Sequence, residues 1–358
     1  MIGPQLHPMA PLPPRAYASR HGGHRPFPLD GSGWRIFRRA RQGLYQGVKA
    51  LGLRSGDEVL VPAYHHGSEV QALLEAGLVC RFYEITEALA PDPDELDALA
   101  GPRTRALHLI HYFGFPQDAG RWRAWCDERG LLLLEDAAQA WLSSWRGRPV
   151  GSFGDLAIFS VYKTFGVPDG GLVVARRPLT GPAGPGSSGI RAVLGSHLQW
   201  LWQQWPLGDG GRQPHADRGY DQVADLALGD PRSAPTRMTV ALLSSVEAER
   251  TRARRRRNYA VLLARLRDGI RPLFPELPDG AVPFLFPAGS SDKASLLERL
   301  ERRGVTALDV WSVPHPTLPS SGFARTQALR RCVVGLPVHQ ELRQRGLERV
   351  VEAIVGGG

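Results

Sequence analysis

Residues 131–140 read LLLLEDAAQA. Four consecutive leucines predict a fully buried strand over residues 131–134, because a strand that is covered on both faces carries apolar side chains at every position. The polar residues Glu135, Asp136 and Gln139 follow directly. Open parallel sheets bind ligands at the carboxyl ends of their strands. The stretch therefore predicts a covered strand that delivers polar side chains to a ligand-binding edge.

Strand and helix patterns alternate on both sides of this stretch. Further strands are predicted at residues 58–61, 79–85, 106–113, 156–161 and 172–175. Helices are predicted at residues 37–53, 68–75 and 121–129. This order is typical of an α/β fold whose mostly parallel sheet has helices on both faces.

The rest of the chain predicts a second, smaller domain. Its elements are helices from 238 to 258 and onward, at 293–303 and at 342–354, and strands at 282–286 and 331–336. We expect a Pro-rich extended arm at residues 1–30, a large domain at 31–235 and a small C-terminal α+β domain at 236–358. Residues 178–235 show no assignable pattern, and their cluster of Trp200, Trp202 and Trp205 favours core or interface packing over a ligand site.

Composition narrows the class of protein. The chain has 358 residues, 42% of them hydrophobic, which is enough for a full core. Its first thirty residues lack the apolar centre of a signal peptide and no later stretch is apolar enough to span a bilayer, so we expect a cytoplasmic protein without a membrane segment. Three scattered cysteines predict neither a disulfide framework nor a zinc site, and no metal is expected.

The net charge of +9 raises the question of nucleic acid. The densest basic run, residues 252–257, lies in a helical pattern without a recognised nucleic-acid-binding module around it. We interpret this run as a solvated helix face. Nucleic-acid binding stays an alternative.

One lysine stands out from the arginine-rich background. Lysine occurs only at Lys49, Lys163 and Lys293. Lys163 follows the predicted strand 156–161 and precedes a Pro/Gly turn at 166–171, and an amine at such a boundary is costly unless it is paired or chemically used. We expect Lys163, Asp136 and the rings that follow strand 58–61 to meet at one edge of the sheet.

That set suits pyridoxal phosphate (PLP). A lysine amine forms a Schiff base with the cofactor's aldehyde, and an aspartate keeps the ring nitrogen protonated. An aromatic or imidazole ring stacks on the pyridine, and backbone N–H groups hold the phosphate. Each residue alone has an ordinary interpretation, since Asp136 suits a helix cap, Lys163 an ion pair and His66 a loop histidine.

The ordered combination resembles the DegT/StrS-type PLP-dependent aminotransferases of fold type I. The most specific motif is LLLLEDAAQA followed by GRPVGSFGDLAIFS at residues 147–160. Other matching segments lie at residues 50–64, 111–116, 236–238 and 336–339. The resemblance implies a fold type I transferase, with a large domain built on a seven-stranded, mostly parallel sheet between helices and a small C-terminal α+β domain.

The resemblance also implies roles for individual residues. Lys163 would be the Schiff-base lysine and Asp136 the partner of the pyridinium nitrogen, and these two are the expected catalytic residues. The other expected cofactor contacts are Gln139 at the ring hydroxyl, His66 at the stacking position, and Ser160, Ala40 and Arg41 at the phosphate.

Some positions depart from the family pattern. The Ser160–Lys163 spacing is two residues shorter than usual, Trp141 replaces a histidine, and the asparagine that reaches the partner subunit falls near Pro235. Arg41 replaces the usual phosphate-binding hydroxyl. These changes bear on the substrate more than on the cofactor.

The implied activity is transamination from an amino-acid donor, with glutamate as the expected donor, to a keto acceptor such as a nucleotide-linked keto sugar or a natural-product intermediate. A homodimer with active sites at its interface is implied as well. The substrate pocket is expected to use residues 178–235 with Tyr64, His65 and His315. The alternatives are another PLP reaction such as dehydration or decarboxylation, a non-catalytic protein of this fold, and a nucleic-acid binder.

Overall fold

A computed structural model describes residues 5–17, 25–204, 225–266 and 269–356 of the chain. The helices are α1 (Ala40–Ala50), α2 (Ser68–Glu75), α3 (Pro93–Leu99), α4 (Ala119–Glu128), α5 (Val161–Thr164), α6 (Ile190–Gln204), α7 (Arg237–Leu242), α8 (Ala248–Arg265), α9 (Lys293–Arg302), α10 (Ala324–Cys332) and α11 (Gln344–Val355). The strands are β1 (Trp34–Phe37), β2 (Glu58–Pro62), β3 (Val79–Tyr83), β4 (Thr104–Ile110), β5 (Leu132–Asp136), β6 (Ser144–Trp145), β7 (Arg148–Pro149), β8 (Leu156–Ser160), β9 (Gly171–Ala175), β10 (Arg271–Pro272), β11 (Leu285–Gly289), β12 (Leu308–Asp309) and β13 (Val333–Pro337).

A seven-stranded sheet forms the centre of the large domain. Its strand order is β1-β9-β8-β5-β4-β2-β3. The pairs from β3 across to β8 are parallel, while β9 runs antiparallel to both β8 and β1. The predicted α/β fold with a mostly parallel sheet is confirmed. Since β2, β4, β5 and β8 point the same way, their carboxyl ends share one edge of the sheet.

Several predicted elements differ from the structure. The strands predicted at 79–85 and 106–113 end at Tyr83 and Ile110, and the helix predicted from residue 238 onward is divided into α7 and α8 because residues 243–247 leave the α-helical hydrogen-bond pattern. The helix predicted from residue 37 begins at Ala40, because Phe37 pairs with Gly171 as the last residue of β1. The strand predicted at 282–286 begins at Leu285 and continues to Gly289, because the residues before it bond instead to the turn at 113–114. The strand predicted at 331–336 begins at Val333, because α10 continues to Cys332.

The C-terminal part forms a four-stranded antiparallel sheet of order β10-β11-β13-β12, with α9 and α11 among its helices. One apolar cluster joins it to the large domain, because Leu107 of β4 and Trp122 of α4 belong to the same buried core as Leu285 of β11 and Val334 of β13. The domain boundary between residues 235 and 236 stays a prediction.

The described part of the predicted N-terminal arm packs on the rest of its own chain. Leu6 forms a parallel bridge with Val305 of the small domain. Farther on, the Leu12 amide donates to Oγ of Ser196 over 2.7 Å. The backbone at residues 10–12 also crosses Gly166, where an added Cβ would lie 2.4 Å from the Leu12 nitrogen. The arm therefore covers the turn that follows Lys163.

The stretch that the sequence left unassigned contains a helix, α6. Ile190, Leu194 and Leu198 on α6 are each more than half exposed. Trp200 of the same helix donates its indole N–H to Glu341 over 3.1 Å. Trp202 is 42% exposed, and Trp205 lies outside the described residues. In the part of the chain that the structure describes, no helix is long and apolar enough to cross a membrane.

The interpretation of residues 252–257 as a solvated face is wrong for Arg255. This residue is 1% exposed, and its guanidinium donates to Gln340 and to the carbonyls of residues 163, 164, 283 and 284. Arg252 and Arg256 are half-buried and bind backbone carbonyls of residues 142, 278 and 281. The run thus fastens α8 to the body of the protein.

Candidate active site

A cavity of about 600 Å³ opens at the carboxyl edge of the central sheet. All seven residues that the sequence predicted for a cofactor site line this cavity. They are Ala40, Arg41, His66, Asp136, Gln139, Ser160 and Lys163. Strands β5 and β8 end there with Asp136 and Ser160 as their last residues. The individual roles of these residues remain predictions.

The N-terminus of α1 reaches the cavity because Gly171 has no side chain. Gly171 pairs with Ser160 at the end of β8. A Cβ on Gly171 would lie 2.1 Å from the Ala40 nitrogen, which is closer than any side chain allows. The missing side chain thus lets the first turn of α1 pack against the end of β8. Because the first-turn N–H groups have no acceptor within their own helix, this end attracts anions such as a phosphate.

Lys163 lies on the short helix α5 that follows β8. Among the described residues, its Nζ has no hydrogen-bond partner. Its backbone is nevertheless fixed, because the carbonyl of Lys163 accepts from Nη2 of Arg255 over 3.2 Å and the carbonyl of Thr164 accepts from the same atom over 3.0 Å. The site therefore combines a fixed main chain with an amine that is available to a ligand.

The two acids of the EDAAQA motif have different tasks. Glu135 is fully buried, and its carboxylate accepts the N–H groups of Gly151 and Phe153, both over 2.8 Å. It also lies 3.1 Å from Nε2 of His111. Glu135 therefore holds the GSFG loop against β5, which gives a physical reason why the two most specific motifs of the sequence occur together. Asp136, on the opposite face of the strand, lines the cavity.

Asp136 is oriented by the backbone of the residues that follow it. Its Oδ1 accepts the N–H of Ala138 over 2.8 Å, and its Oδ2 lies 3.9 Å from Nε2 of His108. Burial raises the pKa of Asp136, against the opposing effect of His108. The nearby Gln139 accepts the Phe113 N–H through Oε1 over 2.8 Å, so its amide nitrogen is the group left to donate to a ligand.

His66 carries a neutral ring at pH 7. Burial lowers its pKa to about 4, although the carboxylate of Glu69 acts in the opposite direction. The Ser68 N–H points to Nδ1 of His66 over 3.4 Å, which favours the tautomer with the proton on Nε2. A neutral, flat ring at the cavity wall suits the stacking position that the sequence assigned to it.

Part of the hydrogen-bonding capacity of the Arg41 side chain is used within the protein. Its Nη1 donates to the carbonyl of Ala227 over 2.8 Å and to that of Asp225. Burial lowers its pKa. The guanidinium therefore also ties α1 to residues 225–227, a task that the sequence did not predict.

Several lining residues escaped the sequence analysis. Tyr162 lies under the guanidinium of Arg39, 4.8 Å from its ring centre. Although burial acts in the opposite direction, the positive charges of Lys163, Arg39 and Arg41 lower the pKa of Tyr162. Glu69 lines the cavity as a buried carboxylate. The signal for all three was their position beside predicted residues, in the runs RRAR, HHGSE and SVYK.

Three residues expected in the substrate pocket do not line the cavity. Tyr64 and His65 are fully buried, and His315 is 3% exposed. His65 uses Nδ1 on the carbonyl of Pro62 over 2.9 Å. His315 uses Nε2 on Gln71 over 3.0 Å. His65 and His315 thus bond within the protein, and the Tyr64 ring packs against Tyr112 and Trp311, so these side chains support the loop that follows β2.

The donor set fits pyridoxal phosphate. An unpartnered amine, a buried carboxylate and a neutral imidazole ring share one cavity with a helix N-terminus. These are the groups needed by an aldehyde, a protonated pyridine nitrogen, an aromatic face and a phosphate.

Comparisons with known proteins agree with this chemistry. A protein-family model described as the DegT/DnrJ/EryC1/StrS aminotransferase family matches residues 39–180, from the start of α1 to just beyond β9. The dTDP-3-amino-3,4,6-trideoxy-alpha-D-glucose transaminase of Streptomyces venezuelae is 28% identical over 319 residues, which are 86% of this chain and 78% of that enzyme. The GDP-perosamine synthase of Vibrio cholerae is 35% identical over 135 residues, which are 37% of each chain.

Solved structures give the same fold. The S. venezuelae enzyme DesV, solved in complex with a ketimine intermediate, superposes with a TM-score of 0.69 at 25% identity, covering 96% of this chain and 89% of DesV. The sugar aminotransferase CalS13 of Micromonospora echinospora superposes with a TM-score of 0.68 at 22% identity, covering the whole of both chains. The predicted resemblance to this family and the predicted fold class are confirmed, and pyridoxal phosphate is the cofactor on which enzymes of that family depend.

Proposed function

We propose that the chain transfers an amino group from glutamate to the keto group of a nucleotide-linked sugar, because the DegT/DnrJ/EryC1/StrS aminotransferase model matches residues 39–180 and enzymes of that family depend on pyridoxal phosphate. The observation that carries the proposal is the convergence of Lys163, Asp136 and the N-terminus of α1 on one cavity. The sugar acceptor is supported by the names of the relatives, which act on dTDP-linked or GDP-linked sugars.

The cavity residues have distinct places around the cofactor. The Lys163 amine would bind the aldehyde carbon, and the Asp136 carboxylate would bind the protonated ring nitrogen. Gln139 would donate to the ring hydroxyl, and the His66 ring would lie against the pyridine face. The phosphate would be held by the first turn of α1, by Ser160 and by the remaining donors of Arg41.

When it is bound, pyridoxal phosphate supplies an electron sink for the negative charge that develops at the donor's α-carbon. The chain then has two tasks. The Lys163 amine takes the proton from the α-carbon of the donor and returns a proton when the acceptor is aminated. The Asp136 carboxylate stabilises the positive charge on the ring nitrogen. Because this carboxylate is already in place, the negative charge that develops at the α-carbon is stabilised without reorganisation of water.

The test is the visible absorption of the purified protein with pyridoxal phosphate, before and after addition of glutamate. We expect a yellow band that glutamate bleaches while 2-oxoglutarate appears. Lys163→Ala should lose both effects. Lys49→Ala is the matched control, because Lys49 is exposed on the surface of α1 and lies outside the cavity lining.

Two results would redirect the proposal. A Lys163→Ala protein that still transfers amino groups at the normal rate would remove Lys163 from its role. A band that glutamate leaves unchanged, with a keto acid and ammonia formed from another amino acid, would replace transamination by an elimination reaction at the same site.

We also propose a homodimer and a cytoplasmic location, both on the family resemblance. The dimer has one supporting feature in the chain, since three apolar side chains of α6 are more than half exposed at four-residue spacing. Light scattering on the eluting protein measures the mass directly. A fully active monomer would contradict the dimer.

A further inference from the structure

His108 occupies an unusual place beside the cavity. It lies on β4, two residues before the end of the strand, on the sheet face that carries Ile110 and its paired neighbour Asp136. The side chain is fully buried. Within the described ranges, neither Nδ1 nor Nε2 of His108 has a hydrogen-bond partner. Its Nε2 lies 3.9 Å from Oδ2 of Asp136.

The unpartnered His108 ring lowers the stability of the folded protein. A buried polar group without a partner destabilises the folded state, whereas an apolar side chain at the same place in this apolar strand would not. His111, on the same segment, shows the ordinary alternative, because both of its ring nitrogens are used, by Glu135 and by the Gln117 N–H. The loss of stability at His108 indicates that its ring has a partner when the site is at work.

The groups that face His108 identify that partner. Asp136 of β5 is the carboxylate closest in the described chain, and Glu69 of α2 acts on it more weakly. Tyr83 of β3 bonds the backbone carbonyl of His108 and leaves its ring untouched. Burial lowers the pKa of His108, so the ring is neutral at pH 7 and carries one N–H.

We propose that His108 is a positioning residue that presents its Nε2–H to Oδ2 of Asp136 and so keeps this carboxylate ionised for the cofactor's ring nitrogen. The inference rests on the proposed function. Asp136 needs such help, because burial favours its protonated form and its Oδ1 is supported by a single N–H, that of Ala138. A protonated Asp136 would meet the ring nitrogen as a neutral group and would hold no positive charge on it.

The test compares two cofactors that differ at the ring nitrogen. One is pyridoxal phosphate, and the other is its 1-deaza analogue, in which a C–H group replaces the nitrogen and nothing is left for Asp136 to bind. Dissociation constants are measured by equilibrium dialysis for the wild type, for His108→Leu, which removes the donor, and for His108→Gln, which keeps an N–H donor. Urea unfolding of each apo-protein verifies that the variants fold.

We expect His108→Leu to weaken the binding of pyridoxal phosphate about tenfold, as the loss of a charge-assisted hydrogen bond does. Its affinity for the deaza analogue should equal that of the wild type. His108→Gln should recover most of the affinity for pyridoxal phosphate. If His108 had a merely structural role, His108→Leu would bind both cofactors more weakly by the same factor. That result would overturn the inference, and so would an unchanged affinity of His108→Leu for pyridoxal phosphate.

Measurements on the wild-type protein distinguish an error in the role of His108 from an error in the proposed function. If the wild-type protein binds the deaza analogue as tightly as pyridoxal phosphate, Asp136 is not the partner of the ring nitrogen. If it binds neither, the cofactor assignment fails. Both results overturn the proposed function, and the role of His108 with it.

Discussion

Arg255 is expected to be one of the most sensitive residues outside the cavity lining. Its guanidinium is the donor for the carbonyls of Lys163, Pro283 and Phe284, which have no other donor among the described residues. The carbonyl of Thr164 keeps a second donor in Gln340. Arg255→Met would therefore leave three buried carbonyls unpaired, at about 1 kcal/mol each. We expect the free energy of unfolding to fall by about 3 kcal/mol.

Urea unfolding of the apo-protein measures this loss. The matched control is Arg257→Met, two residues along the same helix, because Arg257 is exposed and should change stability by less than about 0.5 kcal/mol. Arg255→Met should also weaken cofactor binding, since it releases the main chain of Lys163. If Arg255→Met and Arg257→Met unfold alike, the guanidinium contributes no net stability and the reasoning fails.

Three further predictions concern the frame of the site. Gly171→Ala should weaken cofactor binding at least about tenfold, because its Cβ would displace the first turn of α1, whereas Gly33→Ala, with nothing within 4 Å, should not. Glu135→Gln should lower the free energy of unfolding by about 2 kcal/mol in urea, because the bonds it accepts lose their charge. Burial lowers the pKa of His65 to about 4. Between pH 6.5 and 4 the unfolded chain therefore binds a proton at His65 that the folded chain does not bind, and the free energy of unfolding should fall as the pH falls through this window. His65→Phe should make the free energy of unfolding depend less on pH there.

The site was predictable because its chemistry lies at strand ends. Asp136 and Ser160 each close an apolar run, and parallel strands bring such ends together without further information. Lys163 was visible because lysine is rare in this chain and follows such a run. The seven-stranded sheet was implied by the family resemblance, and no pattern in the residues gave the order of its strands.

Other features depend on tertiary contacts that a sequence pattern does not carry. Residues 252–257 contain five arginines with similar neighbours, and it is the rotation of α8 that buries Arg255 and leaves Arg257 exposed. The start of β11 is set by bonds to residues 113 and 114, which are far away in the chain. His108 did carry a signal, as the one polar residue inside the apolar run ALHLI, but its meaning needed the 3.9 Å to Asp136.

The segment that carries Lys163 is held from distant parts of the chain. Residues 10–12 cross it at Gly166, Arg255 binds its carbonyls, and Gln340 binds Thr164. A nascent chain acquires the last of these contacts only when it is nearly complete, so the capacity to capture the cofactor should arise late in synthesis. The yellow colour of the bound cofactor should therefore appear during translation only when folding is nearly complete. Chains that stop before residue 340 should remain colourless.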